Sequence, residues 1–442
     1  MKHATLLSAG TPLLVAAAAV FAVGDLNPPA GSVTATGKRL TELEPRTPIS
    51  AATTPGDADS VFRIAQPGSY YLTGNVQSVF GRSGLEIASS HVTIDLSGFS
   101  VNGSGSAVGS DGIRTSIVGL VAISILNGSV SNWSGDGIDL ATNLADQCLV
   151  ERIQATGNGG NGIGLGSNCV ADRCASGSNS GTAGIASGAT CTMTSCVSTG
   201  NTAFGFALGP GCTLTSCTAT GNSSFGFSLG TGKHILTNCL ATLNNSSGFS
   251  GGSHSALTGC TANENTGFGF NLGSYVVVRD CVANGNGASG LVVGSDAEIR
   301  NCSVQSNANA GIDAQSDSLV TGCTVKENFA DGIRCQSDSL ILDNLCDLNG
   351  LGGVGAGILA ASGGSRIEGN KCADADFGIK VNGAGNVIVQ NSCSGNTTAW
   401  DIAANNVFGP ILDRRAPASA AVLGTSAASS LGSTDANANF TY

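Results

Sequence analysis

Between residues 170 and 330 one pattern of apolar and polar positions recurs every 21 or 22 residues. Its fixed point is a cysteine, at Cys174, Cys196, Cys217, Cys239, Cys260, Cys281, Cys302 and Cys323. Taking that cysteine as position zero, apolar residues stand at minus three (Leu214, Leu236, Leu257, Val278, Ile299, Val320). Small or branched apolar residues stand at plus two (Ala219, Ala241, Ala262, Ala283, Val304). An asparagine stands at plus five, from Asn179 and Asn201 through Asn328. A glycine stands at plus nine and is followed by Phe206, Phe227, Phe249, Phe270, Leu291, Ile312 or Ile333. A period this long predicts one supersecondary unit stacked on copies of itself.

Within each repeat the alternation has period two, which predicts strands. Minus five and minus three share one parity, and zero and plus two share the other. Both sets are apolar, so a bend is predicted at minus two or minus one, where Ser, Asn, Gly and Asp cluster. The apolar residues after the glycine predict a third short strand. Three strands and three turns per 21 residues make one coil of a tube, with equivalent residues stacked about 4.8 Å apart. Asparagine tolerates the left-handed conformation of a tight turn. The plus-five row is therefore expected to sit at such a turn and to bond along the axis. The cysteines, all at inward positions, are expected to be buried small hydrophobes rather than a disulfide framework. The phenylalanine pairs Phe204/Phe206, Phe225/Phe227 and Phe268/Phe270 are expected to stack inside.

The frame extends from Gly84 to Val407, or about 13 to 15 coils and ~65 Å of axis. Cys346, Cys372 and Cys393 continue it as a second inward row, with an insertion at 350–356. The row of asparagines at a tight turn over eight consecutive coils resembles the right-handed parallel β-helix family, the pectate-lyase-like fold. The fold class expected is all-β, a right-handed parallel β-helix of three short strands per coil. The predicted divisions are a signal peptide (1–22), an extended segment (23–60), a cap (61–83), the β-helix (84–408) and a tail (409–442) whose Phe440 and Tyr442 dock on the last coil. The resemblance leaves activity open. The family's galacturonan hydrolases carry Asn-Thr-Asp, Asp-Asp, Gly-His-Gly and Arg-Ile-Lys, and its epimerases Asp-Pro-His; none of these strings occurs in this chain.

Only 11% of residues are charged and the formal net charge is −11, without a Lys/Arg run. That excludes a basic nucleic-acid surface. Met1-Lys2-His3 followed by an apolar stretch to Val23 reads as a signal peptide, cleaved after Ala22 or nearby. The product is expected to be secreted, periplasmic or on the cell surface, with no remaining membrane span.

Positions minus six, minus four and minus two face outward on one strand. Down the coils they align His254, Tyr275, Asp296, Asp317 and Asp338 in one row, with Glu298 in the second and Arg279 and Arg300 in the third. Stacked carboxylates repel, and a bridging cation relieves that repulsion. Asp296, Asp317 and Asp338 are thus the candidate ligands for calcium. Arg279 and Arg300 are the candidate catalytic bases of a uronate-acting lyase, and His254, Tyr275 and Glu298 the candidate substrate contacts. The ordinary alternative is that each Asp caps a turn and each Arg pairs with a neighbouring acid. The missing motifs and regular coils favour a surface scaffold or carbohydrate-binding module, with a polysaccharide or cell-surface glycan as partner and the lyase as alternative.

Overall fold

The computed structural model describes residues 44–105, 110–413 and 435–442. The signal-peptide reading and most of the 23–60 segment and the tail lie outside the described residues. No helix occurs among the described residues, hence none long and apolar enough to cross a membrane.

The coil at Cys281 shows the unit. Strand β1 is Val277–Arg279, β2 is Val282–Asn284 and β3 is Leu291–Val293. Each pairs in parallel with its copy one coil on: Val278 faces Ile299, Ala283 faces Val304 and Leu291 faces Ile312. The β1- and β2-type strands belong to one 32-stranded sheet and the β3-type strands form a 16-stranded sheet. We refer to these three stacked faces as walls one, two and three. Fifteen of the sixteen wall-three strands fall between Ser83 and Ile402, at the upper end of the range expected from the sequence.

The predicted bend falls at minus one, where Ser195, Ser216, Asn238, Asp280 and Asn301 all have φ between 51° and 53°. A second left-handed column differs from expectation. It is not the plus-five asparagine but the residue before it, as at Leu243, Glu264, Ser306 and Glu327 (φ 52° to 56°). The physical reason is where the amide must go. With the turn made at plus four, the asparagine side chain enters the wall instead of crossing the surface. Asn265 Nδ2 donates to Asn286 Oδ1 (3.0 Å) and to Ala241 O (3.1 Å), and Asn265 N donates to Asn286 Oδ1 (3.2 Å). The same bonds link asparagines from Asn158 to Asn349 without a break.

All sixteen cysteines are buried free thiols. In the zero column several thiols donate to the carbonyl 24 residues back, among them Cys260 to Leu236, Cys281 to Leu257 and Cys302 to Val278 (3.6 to 3.7 Å). At the next coils the column turns into asparagine. Asn344 Nδ2 donates to Val320 O, also 24 residues back, and Cys323 N donates to Asn344 Oδ1. Cysteine thus occupies an asparagine site as a weaker donor.

Inside, Phe206, Phe227, Phe249 and Phe270 stack at 4.8 Å between neighbouring ring centroids. The outer member of each expected pair is not inside. Phe204, Phe225 and Phe268 are only half-buried, and the first two stack at 5.5 Å along the edge of wall three. At Gly226 and Gly269 the chain bends before the strand begins, which breaks the parity. A Cβ on Gly226 would lie 2.8 Å from Asn244 Nδ2 and 3.0 Å from Ala241 Cβ, so the bend packs directly on the asparagine row.

At the start, residues 60–77 form a complete coil, and Thr47–Pro48 pairs with its free side through Tyr70 and Tyr71. At the end, Asn439–Thr441 inserts beside Ser392–Ser394, and Asn391 N donates to Asn439 Oδ1. The insertion forms a loop exposing Leu351 and Val354.

Replacing Asn265 with Ala removes the acceptor of Asn244 N and Nδ2 and the donor to Ala241 O. Leaving such buried groups unpaired predicts a loss of about 3 kcal/mol or more, read as a lowered urea midpoint. A loss below about 0.5 kcal/mol contradicts the structural role of the row.

Candidate functional site

The outward row picked out by sequence lies where wall three turns into wall one. His254, Tyr275, Asp296, Asp317 and Asp338 are all exposed and all left-handed (φ 57° to 59°). Their amides donate to the carbonyls of Ser274, Ser295, Ser316, Ser337 and Gly363 on the following coil. The row is therefore a column of turns, which suits aspartate. The His254 and Tyr275 rings stack at 4.8 Å with 15° between planes.

Arg279 and Arg300 are register partners on wall one. Both guanidinium groups bind one carboxylate: Arg279 Nη2 lies 2.5 Å and Arg300 Nε 2.6 Å from Glu298 Oε1. The Arg300 bond first, and that of Arg279 after it, holds the Glu298 carboxyl below the usual carboxylate range. The structure thus brings Arg279, Glu298 and Arg300 together, and His254 with Tyr275. It sets Asp296, Asp317 and Asp338 in single file. Among the described residues no three His, Cys, Asp or Glu side chains converge as a metal-ligand set.

Sequence reasoning missed what lies beside this row. A depression of ≈ 570 Å³ is lined by Leu229, Gly230, Thr231, Gly232, Gly251, Gly252, Ser253, His254 and Gly273. Here the backbone ladder of wall three opens. Gly209, Gly230 and Gly294 each donate to the end of the preceding wall-three strand (Ser187, Leu208 and Leu272). The equivalent amides of Gly252 and Gly273 make no such bond among the described residues. Gly251 and Gly252 have φ of 100° and 72°, and a Cβ on Gly251 would lie 2.1 Å from Leu229 O. Only glycine fits that approach. Beneath, buried His234 has Nε2 3.1 Å from Gly230 O, and its Nδ1 has no partner.

The depression borders a bare strip on wall three. Its outward row reads Gly164, Ala186, Ala207, Ser228, Ser250, Asn271. Phe204 and Phe225 stand where these strands begin, and the His254–Tyr275 corner follows where they end. Charged residues bracket the strip along the same row. On one side Glu86 lies between Arg63 (2.9 Å) and Arg114 (3.0 Å), with Asp139 next in register. On the other, Asp313 faces Arg334, and Lys380 lies 3.7 Å from Asp401.

The string Asp-Gly-Ile occurs at 111–113, 136–138 and 331–333, and the first two copies place Asp111 and Asp136 at the turn into wall three. Asp111 Oδ1 accepts from Asp136 N (2.8 Å), and Asp136 Oδ1 accepts from Asn161 N (2.6 Å). Burial pushes the Asp111 carboxyl up to about 6.

A family model described as "Right handed beta helix region" matches residues 208–319. The fold is a right-handed parallel β-helix. Among solved structures, the mannuronan C-5 epimerase AlgE4 A-module of Azotobacter vinelandii is similar at 17% identity, covering 78% of this chain and 91% of that one (TM-score 0.44). The AlgE6 A-module of the same organism gives 16%, 78%, 90% and 0.43. A mutant tailspike protein of Escherichia coli bacteriophage HK620, solved in complex with a pentasaccharide, gives 12%, 78%, 71% and 0.35. No curated protein matches the β-helix chain. Likeness at these identities and scores carries nothing about activity.

Because the folded Asp111 carboxyl holds its proton to higher pH than an unfolded one, the folded β-helix binds more protons between about pH 4 and 6. The contribution of Asp111 to stability falls as pH rises through that window and is level above it. Asp111→Asn keeps the acceptor and removes the titration. The variant is expected to be more stable than the parent at pH 7, by about 1–3 kcal/mol, and to have a flatter profile from about pH 4 to 7. Unchanged pH dependence of the thermal midpoint contradicts this assignment.

Proposed function

We propose that the protein is an exported glycan-binding β-helix that holds a polysaccharide across the bare strip of wall three. One arrangement carries the reading: an uncharged floor of Ala186, Ala207, Ser228 and Ser250 between two aromatic edges, Phe204/Phe225 and His254/Tyr275. A sugar ring has an apolar face that stacks on an aromatic ring, and hydroxyls at its edge that need polar partners. The aromatic edges supply the first. The free amides of Gly252 and Gly273, in the depression beside His254, supply donors for the second. A floor of small side chains lets a rigid chain lie close to the backbone.

Arg63, Glu86 and Arg114 on one side and Lys380 with Asp401 on the other are already paired, so they bound the strip more readily than they bind through it. Arg279, Glu298 and Arg300 adjoin the His254/Tyr275 edge on wall one, where Glu298 orients both guanidinium groups.

Screening the protein against immobilised glycans is expected to give binding that His254→Ala, Tyr275→Ala and Phe225→Ala each weaken about 3- to 10-fold, the worth of one aromatic contact. Binding indifferent to substitution at both edges contradicts the proposal. The lyase alternative places calcium on Asp296, Asp317 and Asp338 and a proton acceptor at Arg279 or Arg300. It requires chelator-sensitive formation of an unsaturated uronate product, lost in Arg279→Ala or Arg300→Ala.

A further inference from the structure

The sixteen thiols are not scattered. Eight form the zero column from Cys174 to Cys323, one per coil. Cys148, Cys169, Cys191 and Cys212 form a second column one coil apart, and Cys346, Cys372 and Cys393 a third in direct register. Cys335 stands apart on wall three.

In the zero column the thiols repeat one placement. Cys196, Cys217, Cys260, Cys281 and Cys302 each approach two carbonyls, one in their own coil two residues back and one in the preceding coil. Sulfur atoms that share a placement are separated by the coil translation, about 4.8 Å. That is too long for a disulfide, whose S–S bond is about 2.0 Å, and parallel Cβ directions do not favour one. It is close to twice a metal–thiolate bond of about 2.3 Å. An ion midway between two stacked sulfurs is therefore at bonding distance from both, in line, without movement of the backbone.

We propose that the thiol columns are linear two-coordinate sites for soft divalent cations of the Hg²⁺ class. Each ion binds two thiols of adjacent coils and displaces both protons, giving a neutral M(SR)₂ unit and two H⁺. Neutrality matters because the columns lie in a dry core, where a residual charge is costly. Two ligands suffice for an ion that prefers linear geometry. Zn²⁺ requires about four, and among the described residues no set of three converges. The binding is thus selective by geometry as well as by softness.

Pairing of neighbours fixes the count. The column of eight holds four ions, the column of four holds two and the column of three holds one, so the folded chain binds seven and leaves two thiols free. Two double variants remove the same number of thiols but differ in adjacency. Cys217→Ala/Cys239→Ala deletes neighbours and leaves runs of two and four in the long column, for a total of six ions. Cys196→Ala/Cys239→Ala strands Cys174 and Cys217 as singletons and leaves one run of four, for a total of five.

The test titrates the full-length reduced chain with HgCl₂, following the ultraviolet thiolate-to-metal band and proton release, with circular dichroism confirming that both variants keep the fold. Endpoints of seven, six and five, with two protons released per ion and no comparable response to Zn²⁺, are expected. In urea the adjacency is lost and both variants should take the same number. Equal endpoints for the two folded variants, no uptake by the folded chain, or matching uptake of Zn²⁺ would overturn the proposal.

Discussion

A backbone amide buried at a bend must find an acceptor inside the protein, because no water reaches it. In this β-helix the acceptor is the side chain of the same residue one coil later. Asn179 N finds Asn201 Oδ1, and the pattern passes from coil to coil to Asn349. The period follows from that requirement. An asparagine reaches its copy only if the turn is placed alike in successive coils, so most coils keep 21 or 22 residues and extra residues loop out elsewhere, as the insertion does between Asn344 and Asn370. The left-handed plus-four residues, including Leu243 and Glu264, cost about 1–2 kcal/mol each, and the bonds they position offset that cost.

The same logic explains the cysteines. The zero column lies just after the minus-one bend, where the side chain must be small, inward and able to meet a carbonyl of the coil before it. A thiol meets these conditions weakly and an asparagine amide meets them well. The change from Cys323 to Asn344 within one column shows the two residues in the same role. The final coils, near an open end, use the stronger donor, and Asn439 returns from the tail to complete the row. Repetition also produces the bare strip and its aromatic edges. A single choice of small residue at one position of the repeat becomes, over several coils, an extended surface.

Most of the fold was legible from the chain alone. Parity located the bend before Cys281 and put Val278, Cys281 and Ala283 inside, and the period gave the coil number. The alternation could not tell which of two adjacent turn residues is left-handed, since Glu264 and Asn265 both fit a turn. Nor could it separate Phe225 from Phe227, because their common parity is broken by a turn at Gly226. The outward positions do line up from His254 to Asp338, as their spacing implies. Their pairings were not legible, because the sharing of Glu298 by two arginines depends on side-chain reach. The glycine-lined depression had no signal in periodicity. It arises where two amides, of Gly252 and Gly273, leave a ladder that the sequence gives no cause to interrupt.

The central claim is that the buried asparagine row, rather than strand pairing alone, holds the coils in frame. Native-state amide hydrogen exchange at residue resolution tests it most directly. The amides of Asn201, Asn222, Asn244, Asn265, Asn286 and Asn307 each donate to the next asparagine. The account predicts that they exchange only through global unfolding, as slowly as the most protected strand amides. Exchange at these six positions through local opening, while the strands on either side stay protected, would contradict it.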